Sequence, residues 1–266
     1  MDLTSSEREI AWAAEVERAA QILAGSKHAV ALTGAGHSTP SGIPDFRSPG
    51  SGLWEQNDPM VVASIWGFRR DPRAFYDWIR PLIKTMVEAG PNPAHHALAE
   101  MERLGVLQAV ITQNIDHLHQ RAGSQRVLEL HGSGHHATCT ACRTEHTTEE
   151  LLERLLASDE VPGCRSCGAV LKPDVVLFGE LLPMGVLFEA QAEAERCDVM
   201  LVVGSSLEVH PAAELPSRAK HHGAELIIIN YEPTHMDRQA AVVVHDDLAA
   251  IVPQILKGVK RLRGVA

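Results

Sequence analysis

Short apolar runs set the strongest limit on how this chain can fold. They fall at residues 29–32 (AVAL), 109–111 (AVI), 127–130 (VLEL), 175–177 (VVL), 199–203, 226–229 and 242–244. A strand with one wet face alternates apolar and polar residues. Several of these runs do not alternate, so they need cover on both faces. Between many of them lie segments with apolar residues at helical spacing, at 10–23, 94–104, 185–196 and 212–222. Strands alternating with helices make a parallel sheet with helices on both sides. The expected fold class is therefore α/β, with a doubly wound parallel sheet. Ser6-x-x-Glu9 reads as a capping box that opens the first helix, and Gly25 as its end.

Two stretches break the rhythm. Residues 47–90 hold most of the aromatics, among them Trp54, Trp66, Phe68, Phe75, Tyr76 and Trp78, and no clear buried strand. Residues 133–172 hold two CxxC pairs. The expected division is a larger sheet domain from 1–46, 92–132 and 174–266. Two insertions, 47–91 and 133–173, would build a smaller metal-binding domain.

Four of the five cysteines form the pairs Cys139/Cys142 and Cys164/Cys167. Each pair makes a knuckle that aims two thiolates at one ion. Four thiolates close a zinc tetrahedron and leave no position for a substrate, which makes the ion structural. Redox dithiols and a nucleic-acid-binding zinc ribbon are the alternatives. A net charge of −10 opposes the ribbon, because phosphate binding needs a basic face. Cys197 stands alone in an apolar context and reads as a buried small hydrophobe. An odd cysteine count opposes a secreted disulfide framework. Residues 1–9 are polar, and no apolar run approaches the roughly 20 residues of a membrane span. The expected compartment is the cytoplasm, with no membrane and no direct nucleic-acid partner.

The run at 29–32 leads into Thr33-Gly34-Ala35-Gly36. Glycines after a strand let backbone approach a pyrophosphate at a helix N-terminus, although a lone GxG also serves as a plain tight turn. The dinucleotide fingerprint wants a third glycine where Thr39 stands, and an acidic residue about 20 positions on. Neither is clean, which disfavours an ordinary dehydrogenase. The long loop from Gly34 to Trp54 mixes Gly, Pro, Ser, Asp and Arg with buried-type Ile43, Phe46, Leu53 and Trp54, so it reads as a functional loop. Thr112-Gln113-Asn114-Ile115-Asp116 and His131-Gly132 end two further apolar runs, where open α/β sheets place ligands. A histidine at a strand end suits a general base near neutral pH, and equally a packing role. His117, His119, His135 and His136 invite a metal reading. It is rejected, because the four cysteines make the better site.

Taken together, GAG-x-S-x-x-SGIPDFRSPGSGLW, TQNID, LELHG, the CxxC pairs, VVLFGE, VVGSSLEVHPAAELP and IIIN-x-E resemble the sirtuin family, of the bacterial or archaeal type, in order and spacing from about residue 19 to 255. The resemblance implies a Rossmann-type domain and a small zinc-containing domain flanking a cleft. It also implies an NAD-dependent protein-lysine deacetylase with NAD as co-substrate and one structural zinc ion. NAD and an acyl-lysine protein or peptide enter from opposite sides. The nicotinamide–ribose bond breaks, the acetyl oxygen attacks the ribose C1′, and the products are lysine, nicotinamide and O-acetyl-ADP-ribose.

Matched position by position, the resemblance makes His131 the general base on a ribose hydroxyl, with Asn114 in the catalytic set. Gln113 and Asn114 hold the ribose side, and Ile115 and Asp116 the nicotinamide carboxamide. Gly34, Ala35, Gly36, Ser38, Thr39, Asp45, Phe46 and Arg47 form the cofactor-facing turn and the loop after it. Gly204, Ser205 and Ser206 lie toward the phosphates and ribose, Asn230 and Glu232 toward the adenosine ribose, and Asp247 toward the adenine. The peptide adds as a strand between Val175, Val176, Phe178, Gly179 and Glu180 on one side and Leu207, Glu208 and Val209 on the other. Cys139, Cys142, Cys164 and Cys167 hold zinc.

Two positions depart from that pattern. His37 stands where a small or aliphatic residue is usual. Members that prefer succinyl or malonyl groups carry an arginine three residues after a tyrosine; here Tyr76 is followed by Ile79. Arg80 is one residue late, about 100° round a helix. Acetyl or other uncharged acyl groups are therefore expected. NAD-dependent mono-ADP-ribosyl transfer is the alternative on the same fold, and a non-catalytic zinc-ribbon module the alternative from another class.

Overall fold

The computed structural model describes residues 5–46, 52–55 and 57–265. The chain begins with α1 (Ser5–Gly25) and β1 (Ala29–Thr33), followed by α2 (Pro59–Val62), α3 (Ile65–Arg70), α4 (Pro72–Glu88) and α5 (Pro93–Arg103). Then come β2 (Leu107–Thr112), α6 (Leu118–Ala122), β3 (Val127–Glu129), β4 (Gly132–Cys139), β5 (Glu145–Thr147), α7 (Thr148–Ala157) and β6 (Leu171–Val175). The last part comprises α8 (Met184–Arg196), β7 (Val199–Val203), α9 (Leu215–His221), β8 (Glu225–Ile229), β9 (Val242–Val244) and α10 (Leu248–Arg263). Among the described residues no helix is long and apolar enough to cross a membrane.

The unbroken apolar runs are strands because both faces are covered. Every residue of β1 and β7 is buried. They lie in a six-stranded sheet of order β3-β2-β1-β7-β8-β9, with every pairing parallel. One face packs Leu23, Leu98, Val110, Leu201, Ile227 and Ile255 among others, under α1, α5 and α10. The other packs Leu32, Ile111, Val202, Leu215 and Ile228, under α8 and α9. Two sequence expectations need correction here. The run at 175–177 is not a strand of this sheet: Val175 ends β6 in a separate antiparallel sheet, β5-β4-β6, opposite Gly132 of β4. It is apolar because Val175 and Leu177 close a second core with Phe68, Phe75 and Tyr76. The first helix already includes Ser5, so Ser6 lies inside it rather than capping it.

The aromatic stretch folds as helices whose starts are capped by side chains. Asp58, Ser64 and Asp71 accept from Met60, Gly67 and Ala74 N–H at the heads of α2, α3 and α4. Asn92 caps α5 through Ala94 and His95 N–H, and His95 Nδ1 accepts the Asn92 N–H in return. That is a capping box with histidine in the place usually held by Glu or Gln.

The strand order reverses between β1 and β7. In an open α/β sheet the connections on either side of such a point leave to opposite faces and open a crevice at the strands' carboxyl ends. The fold thus places a ligand site beyond Thr33 and Val203.

Candidate active site

The crevice begins with two turns packed backbone to backbone. Gly204, directly after β7, has φ +64°, and a Cβ there would stand 2.2 Å from His37 N. A Cβ on Gly34 or Gly36 would meet the Gly204 carbonyl oxygen at 2.9 or 3.0 Å. The glycines of the GxG are therefore required by the neighbouring turn itself, before any pyrophosphate is considered.

The end of β2 ties these turns together. Gln113 Nε2 donates to Ser205 Oγ at 3.0 Å. Asn114 Nδ2 donates to the Gly34 carbonyl at 3.0 Å and lies 3.1 Å from Ser38 Oγ. Ser38 Oγ donates to Asp116 Oδ2 at 2.6 Å, and Asp116 Oδ1 accepts Leu118 N–H at 2.9 Å. Asn114, Asp116, Ser38 and Ser205 are all buried. They form a wall whose orientation is fixed by hydrogen bonds. Thr33 Oγ1 and Thr112 Oγ1 join β1 to β2 beneath it at 2.8 Å, and Asn114 N–H donates to Thr112 Oγ1 at 3.1 Å.

His131, at the end of β3, completes the wall. Its Nδ1 lies 2.9 Å from the Gln113 carbonyl oxygen. Burial holds its pKa below the usual 6.5, against the opposing pull of that carbonyl. The His131 carbonyl in turn accepts Val176 N–H at 2.8 Å, which fixes the approach of 175–180.

The remaining predicted residues fall as follows. Thr39 Oγ1 donates to the Gly36 carbonyl at 3.0 Å. Asp45 and Phe46 carbonyls accept Leu53 and Trp54 N–H at 3.0 Å each, and Phe46 stacks on Trp54 at 5.0 Å. Arg47 lies outside the described residues. Ala35 opens the short turn that ends at His37, Ile115 packs against the second core, and Ser206 is half-buried in the turn after β7. Asn230 follows β8 and donates Nδ2 to the Glu232 carbonyl at 2.6 Å. Asp247 spends its carboxylate capping α10 through Ala249 N–H at 2.8 Å. All belong to segments that follow the carboxyl ends of sheet strands.

The two predicted substrate edges are present but partly occupied by their own chain. Phe178 pairs its N–H with Ala63 O and its carbonyl with Ile65 N–H. Glu180 Oε2 accepts Leu177 N–H at 2.9 Å and is paired with Lys172 Nζ at 2.9 Å. Gly179 has φ +86° and lies against the Trp66 ring, where a Cβ would stand 2.3 Å from the nearest ring atom. Opposite, Leu207 is buried with φ +57°, Glu208 is exposed, and the Val209 carbonyl accepts Ala213 N–H.

The four paired cysteines meet in the small sheet. Cys139 and Cys167 Sγ are 3.5 Å apart, Cys142 and Cys164 3.6 Å, and Cys167 and Cys142 3.5 Å. A tetrahedron of thiolates at about 2.3 Å from zinc sets sulfurs about 3.8 Å apart, so the cluster fits one zinc ion closely. Backbone N–H groups of Ala141, Cys142 and Ser166 point at the sulfurs at 3.4 Å. Hydrogen bonds from Thr144 pull the Cys142 thiol down to about 6. These contacts favour thiolate at Cys139, Cys142 and Cys164; at Cys167 an Ala169 N–H contact lowers the thiol but the three neighbouring sulfurs outweigh it and push it up to about 11. Cys197 is distant in role: it is buried and its thiol is pushed up to about 12 by burial.

A profile of the Sir2 family matches residues 34–211. The chain belongs to the Sir2 family, the sirtuins. It is similar to NAD-dependent protein deacylase 2 of Archaeoglobus fulgidus, with 54% identity over 250 residues that cover 94% of this chain and 98% of the relative. A solved Sir2 structure with a myristoylated histone peptide matches at a TM-score of 0.82 and 47% identity, covering 95% of this chain and 99% of that one. Another, with a deacetylated p53 peptide and 3′-O-acetyl ADP ribose, matches at 0.85 and 41% identity, covering 94% and 99%.

Two features of this Sir2 chain were not read from its sequence. The first is an apolar cavity of about 240 Å³, partly open to solvent, lined by Tyr76, Ile79, Met86, Ile115, Leu152 and Val175 among others. Arg80 is not in its lining: it reaches the Leu155 carbonyl at 2.9 Å instead. Helical spacing of apolar residues in α4 and α7 was the available signal, but it does not distinguish a filled core from an open one. The second is the placement of His119. It leaves His117 and His135, whose rings meet edge to face at 3.7 Å, and turns inward toward His37 and His95.

Proposed function

We propose that the chain removes acetyl and longer uncharged acyl groups from protein lysines, with NAD as co-substrate, yielding nicotinamide and an O-acyl-ADP-ribose. The carrying observation is the convergence of His131, Asn114, Gln113 and the Ser38–Asp116 pair on the crevice at the strand-order reversal. NAD supplies an electrophilic ribose carbon, with nicotinamide as its leaving group.

Each chain residue has a definite part. His131 donates Nδ1–H to the Gln113 carbonyl, so Nε2 carries the lone pair and takes the proton of a ribose hydroxyl. Asn114 and Gln113 hold the ribose side. Asp116, set by Ser38 and Leu118 N–H, meets the carboxamide with Ile115. The turns at 34–39 and 204–206 take the phosphates and ribose, with Asp45, Phe46 and Arg47 in the covering loop. Asn230, Glu232 and Asp247 lie toward the adenosine. The peptide adds as a strand between 175–180 and 207–209, where main-chain pairing gives affinity without reading much sequence.

The cavity beside Ile115 and Val175 extends the reading to long acyl chains. Its volume far exceeds an acetyl group, and Tyr76 donates its hydroxyl to the Leu171 carbonyl at 2.6 Å rather than offering it to an acyl carboxylate. The neighbour with a myristoylated peptide supports the same idea. We also take 47–91 and 133–173 as the small domain, held by a zinc ion on Cys139, Cys142, Cys164 and Cys167, and the cytoplasm as the compartment.

The test is product analysis. NAD with an acetyl- or myristoyl-lysine peptide should give free lysine peptide and the matching O-acyl-ADP-ribose by mass. ADP-ribosylated protein without any loss of acyl group would support mono-ADP-ribosyl transfer instead.

A further inference from the structure

Three histidines with no part in that reaction meet in the interior behind the crevice. His37 ends the short turn that Ala35 opens, His95 lies in the first turn of α5, and His119 lies in α6. Their exposures are 0%, 0% and 1%. Ring centroids stand 4.4 Å (His37–His95), 5.0 Å (His37–His119) and 4.8 Å (His95–His119) apart. One ring nitrogen from each lies within 4.8 Å of the other two.

We propose that His37, His95 and His119 form a second, buried metal site for one divalent first-row transition ion of the zinc type.

The hydrogen-bond accounting points to a ligand. His119 Nε2 is anchored at 2.9 Å on Thr33 Oγ1, and His95 Nδ1 meets Asn92 N–H at 3.3 Å. His119 Nδ1, His95 Nε2 and both nitrogens of His37 are buried with no partner among the described residues. Buried polar atoms are almost always paired with protein, water or an ion. Here four of them belong to three neighbouring rings, so one guest bound through one nitrogen of each ring satisfies three of the four and leaves one His37 nitrogen over.

The chemistry of the donors selects the guest. Imidazole nitrogens suit zinc, copper, nickel and iron, and three of them leave a fourth position to water. Burial, first of all, and then the neighbouring rings keep the His37 imidazole neutral. Burial likewise brings His95 to about 2 and His119 to about 3, so these rings too are neutral and each can offer a lone pair. His119 is already arranged as metal-bound imidazoles are, with its far N–H on an oxygen. His95 must move its ring proton from Nε2 to Nδ1 before Nε2 can bind. That gives up the reciprocal bond of the capping box and turns two donors, His95 Nδ1–H and Asn92 N–H, toward each other, so the Asn92 backbone must shift as the metal bond forms; no net proton is released.

An ion here would pin together the glycine turn, α5 and α6. Asn92 already bridges two of them, donating Nδ2 to the His37 carbonyl at 2.8 Å. The role would be structural support of the cofactor side, because no ring of the three reaches solvent.

The experiment is metal counting on the full-length protein. Wild type and His37→Val are loaded with Zn²⁺ or Co²⁺, washed with a weak chelator and measured by elemental analysis and visible absorption. Valine is of the size expected at this position, so the variant should fold. The expected result is two ions per wild-type chain and one per His37→Val chain. The Co²⁺ difference spectrum should show ligand-field bands without thiolate charge transfer. One ion per wild-type chain would overturn the proposal and leave a water among the rings. A second ion that persists in His37→Val would also overturn it, by placing that ion elsewhere. If His37→Val does not fold, the wild-type count and the cobalt spectrum decide alone.

Discussion

The Nδ1 of His131 lies 2.9 Å from the carbonyl oxygen of Gln113. A carbonyl only accepts, so this contact assigns the ring proton to Nδ1 and the lone pair to Nε2. Burial lowers the His131 pKa below 6.5. A base works when deprotonated, so a lowered pKa moves the loss of activity to more acid pH. The acid limb of kcat/KM should lie below pH 6.5, with a plateau through pH 7 to 8. The same shift makes folding favour the neutral ring. Its contribution to stability is complete above the unfolded value near 6.5 and declines as pH falls below it. A pH–rate profile with its acid limb centred above pH 7 would contradict the burial argument.

Gly204→Ala should damage cofactor binding more than peptide binding. An L-residue in the left-handed region costs roughly 1–2 kcal/mol, and the added Cβ would also stand 2.2 Å from His37 N. The glycine turn must then move. We expect a lower urea midpoint and a rise in the KM for NAD on the order of tenfold, with the KM for peptide little changed. Equal rises in both would mean that the two turns are not an independent cofactor wall.

Removing the zinc should unfold the small sheet and leave the large one. Cys139, Cys164, Leu171, Leu151 and Ala137 share one small core, separate from the cores that cover the six-stranded sheet. Structural zinc contributes on the order of 10–16 kcal/mol of apparent binding energy in small zinc domains. Cys139→Ser should therefore lose activity and expose β4 to β6 to hydrogen exchange, with the exchange of β1 and β7 far less affected. A zinc-free, fully active variant would refute the metal's role.

Met86→Trp should narrow the cavity that Tyr76 and Ile79 also line. A mismatch of a methylene or more in an apolar pocket changes kcat/KM by about 10–200-fold. Myristoyl-lysine turnover should fall by at least about tenfold, while acetyl-lysine turnover holds. A parallel loss of both activities would place the acyl chain elsewhere.

The sheet was legible because its strands carry unbroken apolar runs, and the zinc ligands because CxxC spacing is set by the ion. The small antiparallel sheet was not. β4 reads GSGHHATC and is mostly half-exposed, so no hydrophobic period marks it. The run at 175–177 was assigned to the wrong sheet, since apolar residues at a junction between two cores look like those inside one. Residues of the crevice wall were found by resemblance, but their reasons were not. Gly34 and Gly36 answer to Gly204, a partner far away in sequence. The His37–His95–His119 cluster was missed for the same cause: its members come from three segments that only the fold brings together.

Use of NAD at His131 should depend on an acyl-lysine substrate. Nicotinamide release from NAD should be measured with and without an acetyl-lysine peptide, for wild type and His131→Ala. Release that requires the peptide and drops by a factor on the order of 10² to 10⁴ in the variant is the predicted result. Release of equal size without peptide, or an undiminished rate in His131→Ala, would contradict it.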